Sequence, residues 1–349
     1  MPIKKLDILT IGGATRDIIF YTDEGQVANN KKDPTRQRLV CFEQGAKINI
    51  EEAYFSTGGG ACNTAVAFSR LGLKTITIAC IGDDKEGEKV KEDLKTEGVD
   101  TSFVQVNKDG ATGFSFIAIT RSHEQEHAAF LYRGANNGLD ISKDDLKKAN
   151  SKWVYLSSLT GADWQSILKT IISYVQKSKF PPGGWRKRSG TKLAWNPGST
   201  QLEGGKKILD KFLRLTDVLI LNQDEAIELV LSDKTIGKPN SHIKKAEYLL
   251  ETIYGWGVGM VVITAGEKGV YAYDGDKLYH KRARKTKAVD TTGAGDAFGS
   301  SFIAGLHLYN NIEKALKLAL INSASVVAEI GTQKGLLRLS DIKKLGSNL

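Results

Sequence analysis

The sequence predicts an α/β fold, a mostly parallel sheet covered by helices on both faces, with a small β-sheet added by its first third. Three observations carry this reading. After Asn137 short apolar runs alternate with helical stretches, the rhythm of a parallel sheet. Before it, short strands bounded by turn residues outnumber helices. A chain of 349 residues, 41% hydrophobic and 26% charged, is long enough to bury a sizeable core of ordinary composition.

The elements follow in order. Leu6–Ile11 is an apolar strand closed by Gly12-Gly13, and Ile18–Tyr21, Arg38–Phe42 and Lys47–Phe55 read as further strands around the polar stretch Asn29–Gln37. Gly60–Leu71 is a helix of small and apolar residues, Thr75–Ile81 a buried strand, and Lys85–Thr96 an amphipathic helix stopped near Gly98. Phe103–Val106, Gly113–Thr120 and Ala128–Tyr132 are strands. Trp153–Leu156 then precedes helix Trp164–Gln176, Lys192–Trp195 precedes helix Lys206–Leu213, and Asp217–Leu221 precedes helix Asp224–Leu231. Helix Ser241–Tyr254 leads to strand Val258–Thr264, a hairpin pairs Val270–Tyr273 with Lys277–Lys281, and helices Asp296–Tyr309 and Ile312–Ile330 close the chain. Ser178–Thr191, with Pro181-Pro182-Gly183-Gly184, is an aperiodic loop.

Composition excludes several function classes. The formal charge is +9, but the lysines are spread over surface helix faces such as Lys143–Lys148 and Lys343–Lys344. The compact cluster Arg186-Lys187-Arg188 reads as a solvated loop, so the charge points to an anionic small molecule rather than to nucleic acid. No apolar run is long enough to span a membrane, and the N-terminus enters a strand too short for a signal-peptide core. Cys41, Cys62 and Cys80 lack metal-ligand spacing and cannot all pair, which fits a reduced, cytoplasmic setting. His123-Glu124-Gln125-Glu126-His127 has the His-Glu-x-x-His spacing, but zinc chemistry needs it on a helix and here it joins two strands as a turn. Gly12-Gly13 closes the first strand, but the full Gly-x-Gly-x-x-Gly of a dinucleotide turn is absent.

The most informative segment is Asp290-Thr291-Thr292-Gly293-Ala294-Gly295-Asp296, followed directly by the apolar helical run Ala297–Leu308. Small residues before a helix leave N–H groups uncovered where the macrodipole is positive, which makes an anion site. Asp296 stands at its mouth, placed as a base beside a transferring phosphoryl group. There is no Walker pattern in the chain.

This segment resembles the C-terminal signature of the ribokinase-like (PfkB) carbohydrate and nucleoside kinases. Gly58-Gly59-Gly60-Ala61-Cys62-Asn63-Thr64-Ala65, with Gly72 and Gly82, is similar to the family's upstream signature. Asn222-Gln223-Asp224-Glu225 resembles its Asn-x-x-Glu motif, and Thr264-Ala265-Gly266-Glu267-Lys268-Gly269 its nucleotide-proximal turn. The matches run in family order over about Leu6 to Leu337. Ser301 departs from the usual Ala or Gly and is expected to crowd its helix slightly.

The resemblance implies a doubly wound ribokinase-like fold over residues 1–349, with a β-sheet lid from roughly 16–55 and 103–135. It implies ATP-dependent phosphoryl transfer to a sugar hydroxyl, with Asp296 as general base and the amides of Gly293, Ala294 and Gly295 stabilising the transferring group. Asp17, Gly59, Gly60 and Asn63 would hold the acceptor, with Arg133 and Asn136 as further candidates. Phe116 and Phe130 are stacking surfaces or lid core. Asn222, Thr264, Gly266, Gly269 and Asn322 would contact the nucleotide, and Asn222 and Glu225 would order Mg²⁺ through water. Family members often respond to a monovalent cation such as K⁺, for which the sequence shows no ligands, and their lids often pair in homodimers. A nucleoside acceptor is the alternative, and a non-catalytic ligand-binding protein a more distant one.

Overall fold

The computed structural model describes residues 5–29, 38–120, 127–175, 189–236 and 242–345. Its first part contains β1 (Leu6–Ile11), β2 (Thr15–Thr22), β3 (Gln26–Asn29), β4 (Arg38–Cys41), β5 (Glu52–Gly58), α1 (Gly60–Arg70), β6 (Thr75–Ile78), β7 (Cys80–Gly82), α2 (Lys85–Thr96), β8 (Gln105–Asn107), β9 (Gly113–Thr120) and β10 (His127–Tyr132). Then follow α3 (Lys143–Ala149), β11 (Ser151–Leu156), α4 (Trp164–Val175), β12 (Lys192–Trp195), α5 (Ser199–Leu202), α6 (Gly205–Leu213), β13 (Val218–Asn222), α7 (Gln223–Leu231), α8 (Ala246–Gly255) and β14 (Val261–Thr264). The chain closes with β15 (Val270–Tyr273), β16 (Leu278–Lys281), α9 (Ala294–Tyr309), α10 (Ile312–Val327) and α11 (Leu339–Leu345).

The main sheet has eight strands in the order β16-β15-β14-β13-β12-β11-β1-β6. Pairing is parallel from β6 to β14, and the β15–β16 hairpin adds an antiparallel edge. Side-chain alternation sends Leu9 and Ile11 of β1 into one core layer with α3, α4, α6, α7 and α8. Ile8 goes into the other, with Phe68 of α1, Phe298 and Phe302 of α9, and Leu316 of α10. Helices α9 and α10 touch closely, because a side chain on Gly305 would meet Ala315 Cα at 2.6 Å. From β1 the chain reaches β6 on one side and β11 on the other, so the strand order reverses between β1 and β11. Ligand crevices in open α/β sheets form outside the strand ends at such a point.

A second sheet of four strands has the order β10-β9-β2-β5. Its inner face buries Ile19, Tyr21, Ile117 and Ile119 against Ile330, while Phe55, Phe116 and Phe130 on the other face are 67%, 38% and 59% exposed. Phe116 and Phe130 are therefore not buried core; they pair across strands on the face opposite Ile19 and Ile117.

Several boundaries differ from the sequence reading. The apolar run Thr75–Ile81 divides, β6 joining the main sheet and β7 a two-stranded sheet with β8, so residues 103–107 stand outside the four-stranded sheet. Strand β5 starts only at Glu52, and β3 and β4 form their own two-stranded sheet. Arg186-Lys187-Arg188, His123–Glu126, most of Asn29–Gln37 and most of Ser178–Thr191 lie outside the described residues.

Candidate active site

Gly293 caps the start of helix α9, and its φ of 78° is left-handed and suits glycine. No side chain would fit there, since its Cβ would come 2.8 Å from Thr332 Cα. Asp290 ties the turn together, accepting from Thr292 N–H (2.8 Å) and from Gly331 N–H (3.0 Å). The Ala294 N–H is spent on Thr291 O at 3.2 Å, which corrects its expected place in the anion site. The N–H groups of Gly293, Gly295 and Asp296 have no protein partner among the described residues, and they supply the open donors.

Asp296, in the first turn of α9, meets the second glycine-rich segment. Asn63 Nδ2 donates to Asp296 Oδ2 at 2.9 Å. Burial pushes the Asp296 carboxyl up to about 6, the Asn63 bond lowers it and the charge of Asp17 raises it again. A carboxylate so poised can take a proton from a hydroxyl near neutral pH.

The glycines at the start of α1 let other groups crowd onto this backbone. A Cβ on Gly58 would lie 1.7 Å from Asp17 Oδ2, one on Gly59 2.4 Å from Gly13 O, and one on Gly60 2.6 Å from Ser157 Oγ and 3.6 Å from Asp296 Oδ1. Asp17 on β2 is buried and accepts from Thr15 Oγ1 (2.8 Å) and Ser115 Oγ (2.6 Å). Burial raises its pKa, the Ser115 and Thr15 hydroxyls and Arg16 lower it, and Asp290 adds to the rise. The structure thus brings Asp17, Gly59, Gly60, Asn63 and Asp296 together at the reversal of strand order. It does not bring Asn136 there as a free group. Asn136 Oδ1 accepts from Ala14 N–H and its Nδ2 donates to the carbonyls of Ala14 and Arg133, so it clamps the start of β2. Arg133 is exposed beside it.

On the other side of the α9 N-terminus lies a cleft of about 750 Å³. Thr264, Gly266 and Gly269 line it, with Ala294, Gly295 and Ser323. Asn222, at the end of β13, is in register with Thr264 and so sits beside this cleft. Asn222 and Glu225 form a capping box for α7: Asn222 Oδ1 accepts from Glu225 N–H and Glu225 Oε2 from Asn222 N–H, both at 2.8 Å. Burial raises the Glu225 carboxyl, the Asn222 bond lowers it, and Glu228 and Asp224 raise it further.

Asn322 is a correction. It is fully buried; its Nδ2 donates to Ser301 Oγ (2.6 Å) and its Oδ1 accepts from Leu337 N–H (2.8 Å). Its neighbours Leu320, Ser323 and Ala324 line the cleft instead. Ser301 correspondingly serves as a buried partner rather than as crowding. Sequence reasoning also missed Ser157, Thr332 and Gln333, and the cleft-lining cations Arg282, Arg284 and Lys285. Ser157 had a usable signal, because it directly follows a strand at its carboxyl end. Thr332 and Gln333 had none.

Among known proteins, the sequence matches the family described as pfkB family carbohydrate kinase over residues 7–338. The chain belongs to this family. As a pfkB-family carbohydrate kinase it is an enzyme of phosphoryl transfer. It is 28% identical to a ribokinase of Haemophilus influenzae over 291 residues, covering 82% of this chain and 85% of that protein. It is 27% identical to a 5-dehydro-2-deoxygluconokinase of Bacillus licheniformis over 304 residues, with 82% and 86% covered. Its fold is similar to that of an Arabidopsis thaliana ribokinase complexed with ribose and ATP, with a TM-score of 0.77, 21% identity and 98% of each chain covered. No helix among the described residues is long and apolar enough to cross a membrane.

Proposed function

We propose that this pfkB-family kinase transfers the γ-phosphoryl group of ATP to a hydroxyl of a small sugar or sugar-like acceptor, with Asp296 as the general base. The observation that carries this reading is the place of Asp296, between a glycine-walled recess holding Asp17 and Asn63 and the open amides of the α9 N-terminus. The Asp296 carboxylate takes the hydroxyl proton as the oxygen attacks the γ-phosphorus. The bond from that phosphorus to the bridging oxygen breaks, and ADP leaves with the electron pair. The N–H groups of Gly293, Gly295 and Asp296 stabilise charge on the transferring group. ATP lies in the cleft along Thr264, Gly266 and Gly269. The names of the relatives, a ribokinase and a 5-dehydro-2-deoxygluconokinase, support a polyhydroxy acceptor.

The residues present suit Mg²⁺ held through water. Glu225 keeps one carboxylate oxygen outside the capping box, next to the like charges of Asp224 and Glu228, and a cation there would relieve that repulsion. Bound Mg²⁺ would neutralise phosphate charge. Thr292 Oγ1, buried and without a hydrogen-bond partner among the described residues, suits a monovalent cation such as K⁺. The four-stranded sheet acts as a lid that excludes water. Its exposed aromatic face, Phe55, Phe116 and Phe130, suits pairing of two lids in a homodimer. The free cysteines fit a reduced, cytoplasmic setting.

A phosphoryl-acceptor screen with ATP and Mg²⁺ over ribose, fructose, 2-keto-3-deoxygluconate, hexose phosphates and nucleosides tests the proposal. Turnover of a free sugar or sugar acid supports it. Turnover of nucleosides alone would assign the nucleoside alternative, and tight acceptor binding without turnover would return the chain to a ligand-binding role.

A further inference from the structure

The amide of Asn63 is held in one orientation by groups outside the site. Gln333 Nε2 donates to Thr57 O at 2.9 Å, and a carbonyl can only accept, so this atom is fixed as the amide nitrogen. The same nitrogen donates to Asn63 at 3.0 Å, so the Asn63 atom facing it is Oδ1. Thr332 Oγ1 adds a second donor to that oxygen at 2.9 Å. Nδ2 is left on the opposite side, where it meets Asp296 Oδ2 at 2.9 Å. The segment is itself anchored: Arg70 Nη1 donates to Gln333 O (2.6 Å) and Leu336 O (3.2 Å), while the rest of its guanidinium forks onto Glu97. Thr332 also packs on Gly293, where α9 starts.

We propose that Gln333 and Thr332 are positioning residues for Asp296, acting through Asn63 to keep an N–H donor, rather than a carbonyl, against the carboxylate. The inference rests on the reading of Asp296 as the base. Without these donors the Asn63 amide is free to turn, which removes its bond to the carboxylate or replaces it by lone-pair repulsion. The titratable groups facing Asp296 are Asp17 from β2, Tyr155 from β11 and Cys62 from α1. Burial keeps the phenol and the thiol protonated, so beside the burial of Asp296 itself it is the Asn63 bond and the charge of Asp17 that set the balance.

The test is the titration of the Asp296 carboxyl, followed by carbon-13 NMR of aspartate-labelled full-length protein and assigned by the resonance lost in Asp296→Asn. The midpoint, about 6 in the parent, is expected to rise by about one pH unit in Gln333→Leu and in the milder Thr332→Val. Thr332→Ser, which keeps the hydroxyl, is expected to restore it. An unchanged midpoint in folded Gln333→Leu and Thr332→Val would overturn the proposal. Failure of the base reading shows separately, as full turnover in Asp296→Asn whatever the midpoints do.

Discussion

Asn63 and Asp296, 233 residues apart in the chain, meet through a single hydrogen bond of 2.9 Å from Nδ2 to Oδ2. The bond joins the N-terminal turns of α1 and α9, so each glycine-rich segment positions the polar side chain of the other. It also moderates the basicity of the aspartate, since a donor to a carboxylate favours its ionised form.

A pH dependence follows. Burial holds the Asp296 carboxyl at about 6. Below that value it carries a proton and cannot accept another, so kcat/KM for the acceptor is expected to fall about tenfold per pH unit. Above it the rate should level off. A profile from pH 5 to 8.5 at saturating Mg²⁺ checks this, and a rate independent of pH between 5 and 7 would be inconsistent with the assignment.

Stability should move the other way when the charge is removed. The folded value of about 6 lies above the ordinary 3.8, so the folded state binds the proton more tightly than the unfolded chain. Asp296 therefore opposes folding once both states are ionised, and does so less as pH falls through 6 towards 4. Asp296→Asn is expected to stabilise the protein by roughly 1–2 kcal/mol at pH 7.5, allowing for partial solvent access, and by almost nothing at pH 4. Urea unfolding at the two pH values measures the difference.

Glu225→Gln keeps an acceptor for the Asn222 N–H, so the α7 cap should survive. It removes the charge that the proposed function assigns to holding Mg²⁺ waters. The Mg²⁺ concentration for half-maximal activity is expected to rise by about tenfold or more. An unchanged Mg²⁺ titration would leave Asn222 and Glu225 as capping residues alone.

Asn322→Ala separates a buried structural amide from a nucleotide contact. It leaves Ser301 Oγ and Leu337 N–H without a partner, so unfolding free energy should drop by about 2–3 kcal/mol. KM for ATP should stay within about twofold, as Asn322 does not line the cleft. A large rise in KM with unchanged stability would return Asn322 to the nucleotide.

The sequence showed the site where chemistry is encoded locally. Gly293, Gly295 and Asp296 lie within four residues of one another, and Gly58–Asn63 within six, so backbone constraint and polar group are read together. The sheet was legible for a similar reason, since strand–helix alternation directly expresses burial on both faces. What stayed hidden depends on long-range contacts. Gln333 reaches Asn63 over 270 residues, and no local pattern marks a glutamine that fixes another side chain's amide. Asn322 shows the converse error: a polar residue in an amphipathic helix reads as site-facing or solvated until Ser301 and Leu337 are seen to enclose it. The division of Thr75–Ile81 was equally invisible, because both halves are buried and differ only in which sheet they pair with.

The most direct measurement is turnover of Asp296→Asn on the acceptor that the screen identifies. Asparagine keeps the shape and the bond to Asn63 but cannot take a proton at neutral pH. kcat is expected to fall by about two to four orders of magnitude while ATP affinity changes little. An Asn variant that turns over at the parent rate would show that Asp296 is not the base.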